Sequence, residues 1–140
     1  MKINNECARR VLFEVENIPA GETLTVDNLQ QKLSEFDPKG VIVVVTLFNR
    51  DRYINVLDKA GYDECEVLRD HKIKGLTERG FRALDMIRDD NDWNKMKDSI
   101  KNFNELSIYT IFDIAERMLN CKHNELLNLP EKLVYLSSRW

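Results

Sequence analysis

The order helix, short strand, helix, helix, strand, strand, helix predicts a mainly helical α+β fold. It is that of a winged helix-turn-helix domain with a small β-wing and extra C-terminal helices. Three observations carry this expectation: the alternating segment "TLTV" between two amphipathic helices, the stretch "VLDKAGY" followed by a hairpin pattern, and helical stripes through the last third of the chain. Residues 1–90 are expected to form the winged domain and residues 91–140 a helical extension packed on it as part of one unit.

The first helix starts near Asn4 or Asn5, because Ala8, Val11, Leu12 and Val15 then repeat at i, i+3, i+4 and i+7 and lay one apolar stripe toward a core. Pro19 ends it. Leu24 and Val26 share one side of the short strand, and Asp27 suits the N-cap of a second helix carrying Leu29, Leu33 and Phe36. The stretch "DPKGVIVVVTLFN" gives two signals: Val41 to Val45 have strand propensity, while Asp37-Pro38 reads as the cap and first position of a helix. Arg50 to Ala60 is predicted helical, since Tyr53, Val56, Leu57 and Ala60 share a face and Gly61 follows as a stop. Cys65 and Val67 then alternate with charged residues, "RDHK" makes a hairpin tip and Ile73 begins the return strand, so Glu64 to Leu76 supplies the wing.

Thr77 caps a further helix with Phe81, Leu84 and Ile87 turned inward, and Gly80, lacking a side chain, lets a neighbouring element come close. Arg88 complements the C-terminal dipole of that helix, and Asp90, Asn91 and Asp92 complement the N-terminus of the next. Trp93, Met96, Ile100 and Phe103 continue at helical spacing with Lys95, Lys97 and Lys101 outside, so Trp93 locks the angle between two helices. Ser107 caps a final long helix whose stripe is Ile108, Ile111, Phe112, Ala115, Met118 and Leu119, and "LPEKLVYL" adds a short one.

A chain of 140 residues with 43% apolar and 32% charged residues, five glycines and three prolines suits one helix-rich core. No apolar run approaches the roughly 18 residues that cross a bilayer, and "MKINNECARR" lacks the apolar segment of a signal peptide, so a cytoplasmic protein without membrane contact is expected. Cys7, Cys65 and Cys121 are odd in number and far apart, which fits free, mostly buried thiols and no disulfide. A net charge of -3 and a pI near 5.5 weigh against a dedicated nucleic-acid binder while leaving room for a local basic face.

The run "LTERGFRALDMIRDDNDWNKMK" resembles a recurrent run of an uncharacterised winged-helix family, a domain of unknown function common in prophages and other mobile elements. The matching residues are Leu76, Thr77, Gly80, Leu84, Asp85, Ile87, Arg88, Asp89, Asp90 and Trp93. "INVLDKAGY" and "LSIYTIFDIAERML" are similar to the family in weaker ways. The insertion-like "DPKGVIVVVTLFN" and the tail after Asn120 depart from it. The resemblance implies a winged-helix fold and a mobile-element origin, and no established activity.

Gly80, Arg88, Asp89, Asp90 and Trp93 are read as a structural motif, because caps, dipole partners and a buried tryptophan account for every one of them. Cys121 and His123, with Cys65 and His71, show no CxxC or HxxxH spacing, so no metal is expected. The sequence also lacks a Ser, His and Asp signature, a P-loop and a dinucleotide fingerprint, which argues against catalysis and against a cofactor.

Arg50, Arg52, Arg69, His71, Lys72 and Lys74 are the DNA-binding candidates: the first two would begin the exposed part of the third helix, the others line the wing. Asn49 to Lys74 nevertheless holds six Lys or Arg against six Asp or Glu. Two functions follow. One is a phage or mobile-element regulator that binds double-stranded DNA. The other is a protein-interaction module that presents Ile108, Ile111, Phe112, Ala115, Met118 and Leu119 to a host or phage protein, or to a second copy as a homodimer.

Overall fold

Helix α1 (Asn5–Glu16) begins where Asn4 takes extended geometry and its side-chain oxygen accepts from the backbone N–H groups of Glu6 (2.9 Å) and Cys7 (3.2 Å). Cys7, Ala8, Val11, Leu12 and Val15 follow on its buried face, as the spacing predicts. The protein is described by a computed structural model over residues 3–57 and 71–127, with side chains to 121.

Strand β1 (Leu24–Thr25) leads directly into α2 (Val26–Lys32). Thr25, not Asp27, is the N-cap: its hydroxyl accepts from the Asn28 N–H at 3.1 Å, and Asp27 sits in the first turn, where its charge still suits the dipole. Helix α3 (Pro38–Arg50) settles the ambiguous stretch that read as an insertion. Asp37 caps it through the Lys39 N–H (2.9 Å), proline stands at its start, and Val41, Val44, Val45 and Phe48 form a completely buried i, i+3, i+4, i+7 stripe. Burial of that stripe outweighs the small helix penalty of β-branched residues.

The helix expected from Arg50 to Ala60 is overturned. Arg50 is the last residue of α3, and Ile54–Leu57 is strand β2; residues 58–60 lie outside the described part. The spacing of Tyr53, Val56 and Leu57 fits a helix, while Ile54 and Val56, turned inward and alternating with exposed Asn55 and Leu57, fit a strand. Long-range pairing decides between them: β2 runs antiparallel to β3 (Lys72–Leu76) with Ile54 opposite Leu76 and Leu57 opposite Lys72, and it buries Ile54 while exposing Leu57. The chain enters β2 through Arg52, whose φ of 64° is left-handed, a conformation that costs a side-chain-bearing residue about 1–2 kcal/mol. Strand β3 is also paired with β1, so the three strands of the described residues lie in the order β1-β3-β2. A strand at Ile73, expected as the return strand, is thus present, paired with β1 and β2. Glu64 to Asp70, with Cys65, Val67 and Arg69, lies outside the described residues.

Thr77 caps α4 (Glu78–Ile87) by accepting from the Gly80 N–H at 3.0 Å. A Cβ on Gly80 would stand 2.0 Å from the Tyr53 carbonyl oxygen, so only glycine permits this approach. That contact sets the rotation of α4: Gly80, Ala83, Leu84 and Ile87 face inward, and Phe81, expected inward, is turned out and 46% exposed. Asp89 caps α5 (Asp90–Ser99) through the Asp92 N–H (3.0 Å). A 3-10 turn (Phe103–Glu105) follows, so Phe103 reaches the core from outside α5, and Ser107 caps α6 (Ile108–Leu127) through the Thr110 N–H (3.1 Å). Trp93, Met96, Phe103, Ile108, Ile111, Phe112 and Ala115 share one core cluster with α1 and α3. Among the described residues no helix is long and apolar enough to cross a membrane.

Candidate functional site

Arg9 organises the "IRDD" joint from helix α1. It is only 7% exposed; its Nε donates to the Ile87 carbonyl (2.9 Å) and its Nη2 to the Arg88 carbonyl (2.9 Å) and the Asp90 carboxylate (2.8 Å). One guanidinium therefore satisfies the open carbonyls that end α4 and holds the first turn of α5. It lies between the rings of Phe13 and Trp93, 5.0 Å from each centroid. Trp93 is buried, meets Phe103 edge-on at 5.1 Å, and donates from Nε1 to Glu6 (2.9 Å), which also binds Lys97 (2.6 Å). Arg88 forks onto Glu16 (2.5 Å) and Asp85 (3.0 Å).

Glu16 and Glu6 titrate low. Arg88 pulls Glu16 below its ordinary value; burial works against Glu6, but hydrogen bonds from Lys97 and Trp93 prevail. Burial pushes the Cys7 thiol up to about 11, which keeps it protonated and inert, whereas Cys121 is exposed. Arg88, Asp89, Asp90, Trp93 and Gly80 thus each make a contact within the fold. Arg9, Glu6 and Asn5, whose amide donates to the carbonyls of Phe103 and Leu106 (both 3.0 Å), were not legible. The only hint was their recurrence on one flank of the first helix, which a single sequence does not distinguish from a solvated face.

A second constellation gathers at the base of the hairpin, where α3 ends and α4 begins. Asp51 accepts from Arg50 Nε and Nη2 (3.1 Å each) and from the Tyr109 hydroxyl, and these bonds hold its carboxyl below the usual range. Burial first, then Asp51, raises the Tyr109 phenol. Arg79 donates to the Asp51 carbonyl (3.0 Å) and stacks on Tyr53 at 4.7 Å. Thr77 ties the turn by donating to the Arg52 carbonyl (2.5 Å) and giving its N–H to the Tyr53 carbonyl (3.1 Å). Beneath lies a ring cluster of Phe48, Tyr53, Tyr109 and Phe112, with centroids 5.4–6.5 Å apart. Arg79, Tyr53 and Tyr109 were not singled out by sequence, because they come together only through tertiary contact.

The six expected DNA contacts do not form one patch. Arg50 ends α3 and Arg52 lies in the turn between α3 and β2, so neither begins an exposed part of the third helix. Lys72 lies at the opposite end of the strands, three residues or roughly 10 Å along β2. Lys72 and Lys74 are exposed, His71 is 1% exposed and so withdrawn from the surface, and Arg69 lies outside the described residues. Of the expected partner stripe, Ile108, Ile111, Phe112 and Ala115 are consumed by the protein's own core; Met118 is half-buried and Leu119 is 41% exposed. Among the described residues, no three His, Cys, Asp or Glu side chains are placed to hold a metal ion.

A family model described as "Hypothetical protein (DUF2513)" matches residues 2–106, three quarters of the chain. No curated protein and no solved structure matches.

Proposed function

The chain belongs to the DUF2513 family, and we propose that it is a non-enzymatic winged-helix protein that binds duplex DNA, a small regulator of a phage or mobile element. The observation that carries this reading is topological. Helices α1 to α3, interrupted by β1 and followed by the β2–β3 hairpin, with strands in the order β1-β3-β2, is the arrangement in which a winged helix-turn-helix offers its third helix to a major groove and its hairpin to the backbone. The mobile-element setting rests on the sequence resemblance alone.

In such docking the N-terminal part of the recognition helix meets base edges. The outward row of α3 is Lys39, half-buried Val43 and Thr46, a cation, a methyl-bearing side chain and a hydroxyl suited to guanine, thymine and either base respectively. Lys72 and Lys74 supply phosphate contacts. Fluorescence anisotropy with nonspecific duplex DNA tests the reading: at about 50 mM salt binding is expected, with affinity falling steeply toward about 200 mM. Replacing Lys72 and Lys74 by alanine should flatten the salt slope by about one unit per contact, whereas Lys39→Ala should also change sequence preference. Absence of binding at about 50 mM salt ends the DNA reading.

One observation favours a protein-interaction module instead: Leu57 and Phe81 are 47% and 46% exposed, and the outward part of α3 carries half-buried Ile42, Val43 and Leu47. That alternative forecasts no duplex binding in the same assay.

A further inference from the structure

We propose that a methionine-lined notch between α4, α5 and α6 is a docking site for this chain's own segment after α6, residues 128–140. The apolar stripe of α6 outruns the body it packs on. Ile108, Ile111, Phe112 and Ala115 are buried, yet Leu119, one turn beyond Ala115 on the same stripe, is 41% exposed. Side chains four apart on a helix share a face, so Leu119 stands on the core-facing side of α6 with much of its surface uncovered.

The notch beside it is suited to apolar contact. Met86 from α4, Met96 from α5, and Ala115, Met118 and Leu119 from α6 line it, and Asp92 also borders it. Met86 and Met118 are half-buried, whereas Met96 is closed off at 1% exposure. Thioether side chains are unbranched and polarizable, so such a surface adapts its shape to an entering apolar segment.

Reach and composition name the occupant. Residues 128–140 lie outside the described part, and their sequence carries Leu129, Leu133 and Leu136 at helical spacing with Val134 and Tyr135 between the last two. Helix α6 carries the chain on from Leu119 to Leu127, about 12 Å at the rise of a helix. The stretch from Asn128 to Leu133 spans up to about 20 Å when extended, enough to turn back and set Leu133 over Leu119. A tethered segment is present at a roughly millimolar effective concentration, so it fills the notch ahead of a second copy or a separate protein. Neither α3 nor the hairpin takes part, so the DNA reading stands or falls separately.

The photo-cross-linking residue p-benzoyl-phenylalanine, placed at position 133 of the full chain and irradiated at micromolar protein concentration, tests the docking. Peptide mass spectrometry of the monomer band should find adducts on Met86, Met118 or Leu119. The double variant Leu133→Asp, Leu136→Asp should oxidise Met118 in dilute peroxide at least about five-fold faster than the unchanged chain, with buried Met96 unaffected. Three results overturn the proposal: adducts absent from the notch, adducts found only in cross-linked dimers, which would give the notch to a second copy, or Met118 oxidising equally fast in both chains. If Met96 also accelerates, the variant has unfolded and the cross-link alone decides.

Discussion

The two ends of helix α4 use arginine in opposite ways. At its C-terminus Arg9 is buried between aromatic rings with its hydrogen bonds spent on the Ile87 and Arg88 carbonyls and on Asp90, and Arg88 is forked onto Glu16. At its N-terminus Arg79 and Arg52 remain exposed with donors to spare. The difference lies in what the fold brings within reach. Where helix ends and carboxylates converge, arginine welds elements together; where the nearby Asp51 carboxylate is taken by Arg50 and Tyr109, Arg79 reaches only a carbonyl and a ring face and keeps donors open to solvent.

The C-terminal weld can be broken most severely at its centre. Trp93→Ala removes a buried ring, its contact with Phe103 and the Arg9 stack, and should cost about 3–5 kcal/mol in urea unfolding. A loss below about 1 kcal/mol would mean that Trp93 does not pin the joint. Arg9→Met keeps much of the volume but strands two carbonyls and should cost about 2–3 kcal/mol; a neutral outcome would show that water replaces the guanidinium.

Acid sharpens the comparison more gently. Glu6 and Glu16 have folded values depressed below their ordinary 4.5, so their stabilisation is fully present above that value and is lost as pH falls through the depressed ones. The melting temperature should therefore drop between about pH 5 and pH 3, and the double variant Glu6→Gln, Glu16→Gln should show a shallower drop. An equal slope in both would assign the acid sensitivity elsewhere. The smallest effect is expected at the N-terminal end, where Arg82→Ala breaks an i,i+4 surface pair and should change stability by less than about 0.5 kcal/mol.

Much of the helical framework was legible because its signals are local. Asn4, Asp37, Thr77 and Ser107 cap the helices they precede, since an oxygen one residue outside a helix reaches free N–H groups within three residues; Asp89 and Thr25 cap one step or two before the residues that read as the start. The binding candidates fared differently. Arg50 and Arg52 read as the beginning of the exposed part of the third helix because Tyr53, Val56 and Leu57 fit its period, whereas Arg50 ends α3 and Arg52 lies in the turn before β2. Apolar spacing over so few residues does not separate helix from strand.

The sequence by itself determined where most helices begin and which stripe α1 buries, and it pointed to Trp93 at a joint and Gly80 at a close approach, because caps, periodicity and a missing Cβ leave their marks within a few residues of chain. Only the tertiary structure decided that Ile54–Leu57 is a strand, that Phe81 turns outward, that Arg9 is buried and that Arg79 reaches the Asp51 carbonyl. Each of those depends on a group distant in sequence: the β3 ladder, the Tyr53 carbonyl against Gly80, the carbonyls ending α4, and the turn that brings α3 to α4. Long-range pairing and burial outweigh local propensities of a few tenths of a kcal/mol, which is why these features appear only when the chain is folded.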